Sequence, residues 1–150
     1  KDVPIKQAVP NETVWLDELK IEFLAPLQFY DTMNNNSVVV KLTYGDTSFL
    51  MMGDAEKEEE QDLLNSGANL QADVIKIGHH GSKTSTTQEF LNAVQPDMAV
   101  ISVGPDKNEL PKSEVLQRLE QSNVKTYRTD SSGTVICMSD GADITVATEQ

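Results

Sequence analysis

A single cysteine, Cys137, stands among 150 residues, so no disulfide can close within the chain. It falls in a strand pattern and reads as a small buried apolar residue; one thiol leaves the cellular compartment open. No apolar run approaches the ~20 residues that a membrane-crossing helix needs. Lys1-Asp2-Val3-Pro4 does not read as a signal peptide, although a removed one could have preceded it. Positive charge is scarce: 12 Lys and Arg stand against 24 Asp and Glu, a net charge of −12. Autonomous nucleic-acid binding needs a basic stripe, and this balance argues against it. The acid excess reads more simply as a solvated surface. No EF-hand spacing occurs among the acids. There is no internal repeat, low-complexity tract or second domain. The length suits one domain, able to remove roughly 70% of its unfolded surface from water.

What is present is an ordered alternation. After a polar lead-in over residues 1–12, strands are expected at Thr13–Leu16 and Leu19–Ala25, the second alternating through Ile21 and Phe23 until Pro26 ends it. An asparagine-rich loop follows. Ser37–Tyr44 and Thr47–Met52 form a hairpin about Gly45-Asp46. Glu56–Leu64 is a helix with acids in its first turns, which suits the helix dipole; its acidic run reads as a solvated face, and Gly67 ends it. Then come strand Asp73–Gly78, helix Thr87–Val94 capped by Ser85 or Thr86, strand Met98–Val103 and helix Pro111–Ser122. Val124–Tyr127, Thr134–Met138 and Ile144–Ala147 close the chain. The order is ββββαβαβαβββ, an α/β layered arrangement with a mixed sheet.

The chemistry concentrates at Gly78-His79-His80-Gly81, directly after the strand through Ile75 and Ile77. These are the only two histidines. Neutral imidazole is the commonest metal ligand, and glycines on both sides permit a sharp turn. An ordinary turn with locally bonded histidines explains the same residues. Upstream, Ser48-Phe49-Leu50-Met51-Met52-Gly53-Asp54 ends a strand in a carboxylate, a hard ligand able to bridge two cations. One helix and one returning strand separate Asp54 from the histidines, and a β-α-β crossover brings both strand ends to the same sheet edge.

Four stretches together resemble a known family. Asn34-Asn35-Asn36-Ser37-Val38-Val39, Leu50-Met51-Met52-Gly53-Asp54-Ala55-Glu56, Gly78-His79-His80-Gly81-Ser82-Lys83-Thr84-Ser85 and Val100-Ile101-Ser102-Val103-Gly104 resemble the metallo-β-lactamase superfamily. The resemblance is to the branch at the C-terminal end of ComEC-type competence proteins, and it covers about residues 12 to 147. It implies a metallo-β-lactamase-like αββα sandwich, of which this chain carries mainly the C-terminal half, a mixed sheet with helices on one face. The His-x-His-x-Asp-His cluster of full domains is missing. Relatives often read Tyr-Gly-His-Pro where this chain reads Asn108-Glu109-Leu110-Pro111, which places Leu110 at the site edge.

The resemblance implies metal-dependent hydrolysis of a phosphodiester or other ester, DNA among the substrates. Two Zn²⁺ or Mn²⁺ ions are expected in the complete domain. Asp54 is expected as bridging ligand and one of His79 and His80 as terminal ligand, His80 favoured, with the other orienting it. Asp54 and His80 are then the catalytic pair. Ser82, Lys83 and Ser85 are expected to hold a phosphate oxygen, against the plainer reading of Lys83 as a solvent-facing lysine. Asn36 is expected at the site edge, although turn chemistry alone also accounts for the asparagines. Implied partners are an N-terminal half-domain or a second copy, which would bury a sheet face carrying Val38, Val40, Leu42, Phe49 and Met51. A ComEC-type setting implies an extracellular or membrane-attached location. The competing reading is a non-catalytic half-domain or metal-free scaffold.

Overall fold

The computed structural model describes residues 3–104 and 109–149; Lys1, Asp2 and Asn108 of the motifs above lie outside them. Seven strands form one sheet in sequence order: β1 (Thr13–Leu16), β2 (Leu19–Ala25), β3 (Val39–Tyr44), β4 (Thr47–Met51), β5 (Val74–Lys76), β6 (Met98–Ile101) and β7 (Lys125–Arg128). β1 to β4 pair antiparallel. From β4 onward the pairing turns parallel, because each connection now carries a helix. Those helices are α1 (Lys57–Asn65), α2 (Gln88–Val94) and α3 (Ser113–Gln121). A short fourth, α4 (Thr129–Ser132), directly follows β7.

One face of the sheet makes the core. Leu50, Ile75, Ala99 and Ile101 cluster with Leu63, Phe90, Leu91, Val94, Val115 and Leu119 from the helices. Burying each of the larger of these contributes roughly 1.5–3 kcal/mol. α2 starts one residue later than the sequence suggests: Thr87 is its cap, accepting from the Phe90 amide at 3.2 Å.

The acidic face of α1 departs from expectation. Glu59, Glu60 and Leu63 are buried, because positions three and four apart share a helix face. Glu60 accepts the amides of Thr86 at 2.6 Å and Thr87 at 2.9 Å, which stitches α1 to the start of α2. Burial pushes its carboxyl above the usual range, against those hydrogen bonds and the Arg118 charge. Glu59 has no such partner for either carboxylate oxygen among the described residues.

The opposite sheet face is the open one. Register places Leu42 opposite Phe49 and Val40 opposite Met51, with Val74, Lys76 and Val100 beyond. β1 and β2 extend the sheet and do not fold across it. Val38 lies outside β3 and is exposed. The last two strands, β8 (Thr134–Ser139) and β9 (Ile144–Glu149), form a separate hairpin. Its tip is pinned to the β3–β4 turn by Asp46 N–H donating to Gly141 O at 2.7 Å and by the Thr47 and Ser139 hydroxyls at 2.6 Å. Val135, Cys137 and Ser139 look across a cavity of about 600 Å³ at Leu42, Phe49, Met51, Val74 and Val100. Cys137 is therefore only half-buried, and that burial pushes its thiol pKa up.

Candidate metal centre at the carboxyl ends of β4 and β5

β4 ends at Met51, and Gly53 turns the chain so that Asp54 stands past the sheet edge. The Asp54 amide donates to Ser37 Oγ at 2.9 Å. The next strand brings the histidines to the same edge. His79 N–H donates to Gly53 O at 3.2 Å, so the two strand-end loops touch through their backbones. His79 and His80 have φ of 44° and 54°, left-handed values that cost non-glycine residues about 1–3 kcal/mol each. Their neighbours make this conformation possible. A Cβ on Gly78 would lie 2.7 Å from Ala55 O, and one on Gly81, at φ 80°, would lie 2.5 Å from Pro111 Cβ. Only glycine fits at either position.

The strained turn aims the two rings differently; their centroids are 6.4 Å apart and the planes cross at 67°. His80 Nδ1 lies 2.6 Å from Ser102 O. A carbonyl only accepts, so Nδ1 carries a proton, and when the ring is neutral Nε2 presents a lone pair. That Nε2 is 3.5 Å from Asp54 Oδ1. With the ring neutral, this nitrogen and the carboxylate oxygen are both acceptors; with it protonated, they form an ion pair. Their separation matches two ligands on one tetrahedral ion, whose bonds of ~2.1 Å set ligand atoms about 3.4 Å apart. The backbone carbonyl behind His80 is the usual device that fixes a ligating tautomer.

His79 turns away. Its Nδ1 lies 3.0 Å from Glu56 Oε1 and 3.4 Å from Asn34 Nδ2. Glu56 Oε1 also accepts from Thr84 Oγ1 at 2.7 Å. Burial pushes the Glu56 carboxyl up, but the hydrogen bonds from Thr84, Asn34 and His79 outweigh it and hold it below its ordinary range. The structure thus separates the pair: His80 faces Asp54, and His79 ties its loop to the first residues before α1.

Of the expected phosphate-holding residues, Ser82 is half-buried and bonds Thr84 Oγ1 at 3.0 Å, and Lys83 is exposed. Ser85 is fully buried and its hydroxyl donates to Gly78 O at 2.8 Å, so it holds the loop. Asn36 spends its amide on Tyr30 O and Thr32 O and accepts the Tyr30 amide, closing its own loop. Its neighbour Asn34 is the asparagine that reaches the histidine. Leu110 packs against the core, while Pro111 lies against Gly81; an apolar side chain gains more from the core than from the wet edge. Sequence reasoning missed Glu56, Ser102 and Thr84. Glu56 lay inside a quoted motif, and its position two residues past Asp54 was the available signal. Ser102 acts through its carbonyl, which no side chain advertises.

Asp54 and His80 face each other as a pair. Among the described residues no three His, Cys, Asp or Glu side chains converge as a metal-binding group.

The chain belongs to the metallo-beta-lactamase superfamily, whose profile matches residues 3–104. Among curated proteins it is similar to ComE operon protein 3 of Bacillus subtilis, 38% identical over 90% of this chain and 19% of that protein. It is also similar to Competence protein ComA of Neisseria gonorrhoeae, 37% identical over 78% of this chain and 17% of that one. Recombination protein 2 of Haemophilus influenzae is 38% identical over 68% of this chain and 13% of its own length. The chain therefore spans a fifth or less of the length of these relatives. A solved CmlA beta-hydroxylase mutant superposes with a TM-score of 0.57 at 12% identity, over 79% of this chain and 31% of that one. That likeness speaks for the fold alone.

Proposed function

We propose that this chain is the C-terminal part of a metal-dependent hydrolase of ComEC type, acting on a phosphodiester or related ester, a DNA strand among the candidates. The observation that carries the proposal is the facing pair of acceptors, His80 Nε2 and Asp54 Oδ1 at 3.5 Å. The ion would be Zn²⁺ or Mn²⁺, two in the complete domain, with Asp54 and His80 as this chain's ligands. Such an ion supplies a water of pKa near ~7 and a clamp on the ester oxygens. The chain's own residues do the rest of the positioning. Ser102 O fixes the His80 tautomer, Glu56 and Thr84 hold His79 and its loop, and Lys83, exposed on the following turn, reaches for a phosphate oxygen. The remaining ligands would come from an N-terminal half-domain in the longer protein.

The test joins this chain to that N-terminal half and measures Mn²⁺ and Zn²⁺ stoichiometry beside cleavage of labelled single- and double-stranded DNA. Stoichiometric metal with cleavage, both lost in Asp54→Ala, is the expected result. Metal without cleavage of any phosphodiester would overturn the substrate, and absence of metal would overturn the hydrolase. A non-catalytic module is the second reading, favoured by the lack of a third donor among the described residues; the same metal measurement separates the two.

A further inference from the structure

Lys76 closes β5 on the open face of the sheet. Register sets it in one row with Val40, Met51 and Val100, all apolar, beside the row of Leu42, Phe49 and Val74. Burial there pulls its pKa below the usual lysine value, against the pull of the Asp54 carboxylate. A cation in such a row needs a reason, and its hydrogen bonds supply one. The ammonium donates to Gly53 O at 3.1 Å and to Ile77 O at 3.0 Å. Gly53 O is the carbonyl that also accepts the His79 amide at 3.2 Å. The peptide leading into Asp54 is thus gripped from two sides, by the lysine ending β5 and by the first histidine of the next loop. Ile77 O, the other acceptor, leads into Gly78 and the His79-His80 turn.

We propose that Lys76 is a positioning residue for the Asp54–His80 pair: one ammonium clamps the loop that carries the carboxylate to the loop that carries the imidazole. The proposal rests on reading that pair as metal ligands. A lysine suits the task because it carries three donors on a flexible stem and can satisfy two carbonyls at once. Holding ligands in place before the ion arrives is what an outer layer of hydrogen bonds does for a metal site.

The sign of one measurement separates a clamp from a bystander charge. A positive charge near a cation site repels the ion, so a bystander lysine weakens binding and its removal tightens it. Removal of a clamp loosens binding in spite of the charge relief. Mn²⁺ affinity is measured by titration on the chain as it stands, wild type against Lys76→Met, with circular dichroism as the check on folding and amide exchange of His79 read in metal-free protein. The expected result is an affinity at least tenfold weaker in Lys76→Met, an unchanged dichroism spectrum and at least tenfold faster exchange at His79. Unchanged or tighter Mn²⁺ binding overturns the clamp. Should Lys76→Met fail to fold, Lys76→Gln, which keeps two N–H donors on a shorter, uncharged side chain, is read the same way, with weaker affinity expected and undiminished affinity fatal. Should the wild-type chain by itself bind no Mn²⁺, its two ligands do not suffice without the N-terminal half, and the hydrolase reading is decided on the joined protein; His79 exchange then decides the clamp alone, faster in the variant supporting it and unchanged overturning it.

Discussion

Nε2 of His80 lies 3.5 Å from Oδ1 of Asp54 although the two residues come from different strand ends. Both side chains are substantially solvent-exposed, so replacing one disturbs little packing. Asp54→Asn keeps the shape and removes the charge. It is expected to leave stability within about 0.5 kcal/mol of wild type and to abolish Mn²⁺ or Zn²⁺ uptake. Calorimetric titration beside a thermal melt checks both, and undiminished uptake in the variant would remove Asp54 from the site.

Gly81 tests the turn that aims the histidines. At φ 80° an alanine is strained by more than ~1 kcal/mol. Its Cβ would also press on Pro111, 2.5 Å from that residue's Cβ and 3.2 Å from its Cα, and overpacking of this kind adds about 1–3 kcal/mol. Gly81→Ala is expected to lower the urea midpoint of unfolding markedly. An unchanged midpoint would mean that the 110–112 segment moves freely away from the histidine turn.

The strands and helices were legible because hydrophobic period and breakers agreed, as at Leu19–Ala25 before Pro26 and at Val74–Lys76 before Gly78. The convergence of Asp54 and His80 was legible from the crossover length. What was not legible follows from how the missed groups act. Ser102 and Gly53 contribute carbonyls, which every residue has. Glu59 and Glu60 sit in the first turns of a helix, where acids usually face water, and only the docking of α1 decides that these two do not. The hairpin of β8 and β9 was legible as two closing strands, but nothing local says that it pairs only with itself.

Glu59 carries a pH dependence. Burial pushes its pKa from the ordinary value of 4.5 up to about 8, with the charges of Asp62 and Glu60 adding to the rise and the nearby Ser37 backbone opposing it. The folded state therefore holds a proton that the unfolded chain releases. The stability tied to this proton is fully present below pH ~4.5, falls as pH rises, and is lost once pH passes through about 8. Glu59→Gln removes the ionisation and keeps the shape. It is expected to flatten the decline in melting temperature between pH 5 and pH 9 and to melt higher than wild type at the alkaline end. Parallel melting curves for the two proteins would place the pH dependence elsewhere.

The open face of the sheet sets the last prediction. Val74 is buried, but Leu42, Phe49 and Val100 are only half-buried and Met51 is 38% exposed, under a β8–β9 hairpin that leaves a cavity of about 600 Å³. At the sheet's edge Trp15 is 63% and Leu16 64% exposed. Apolar surface gains roughly 25 cal/mol for each Å² removed from water, and contiguous exposed patches beyond a few hundred Å² usually mark an interface. The chain is expected to bury this surface against a second copy, most simply across a twofold axis. Each copy carries a net charge of −12, so two copies repel. Salt screens that repulsion, and dimerisation should strengthen as ionic strength rises, the opposite of an interface built on ion pairs. Met51→Lys puts a charge on the partly exposed edge of the face and should weaken the dimer at least tenfold, about 1.4 kcal/mol. Sedimentation equilibrium at low and high salt reads all three outcomes. A monomer at every salt and at the highest soluble concentration would show that the hairpin roof is cover enough, and that the chain stands as a domain without a partner.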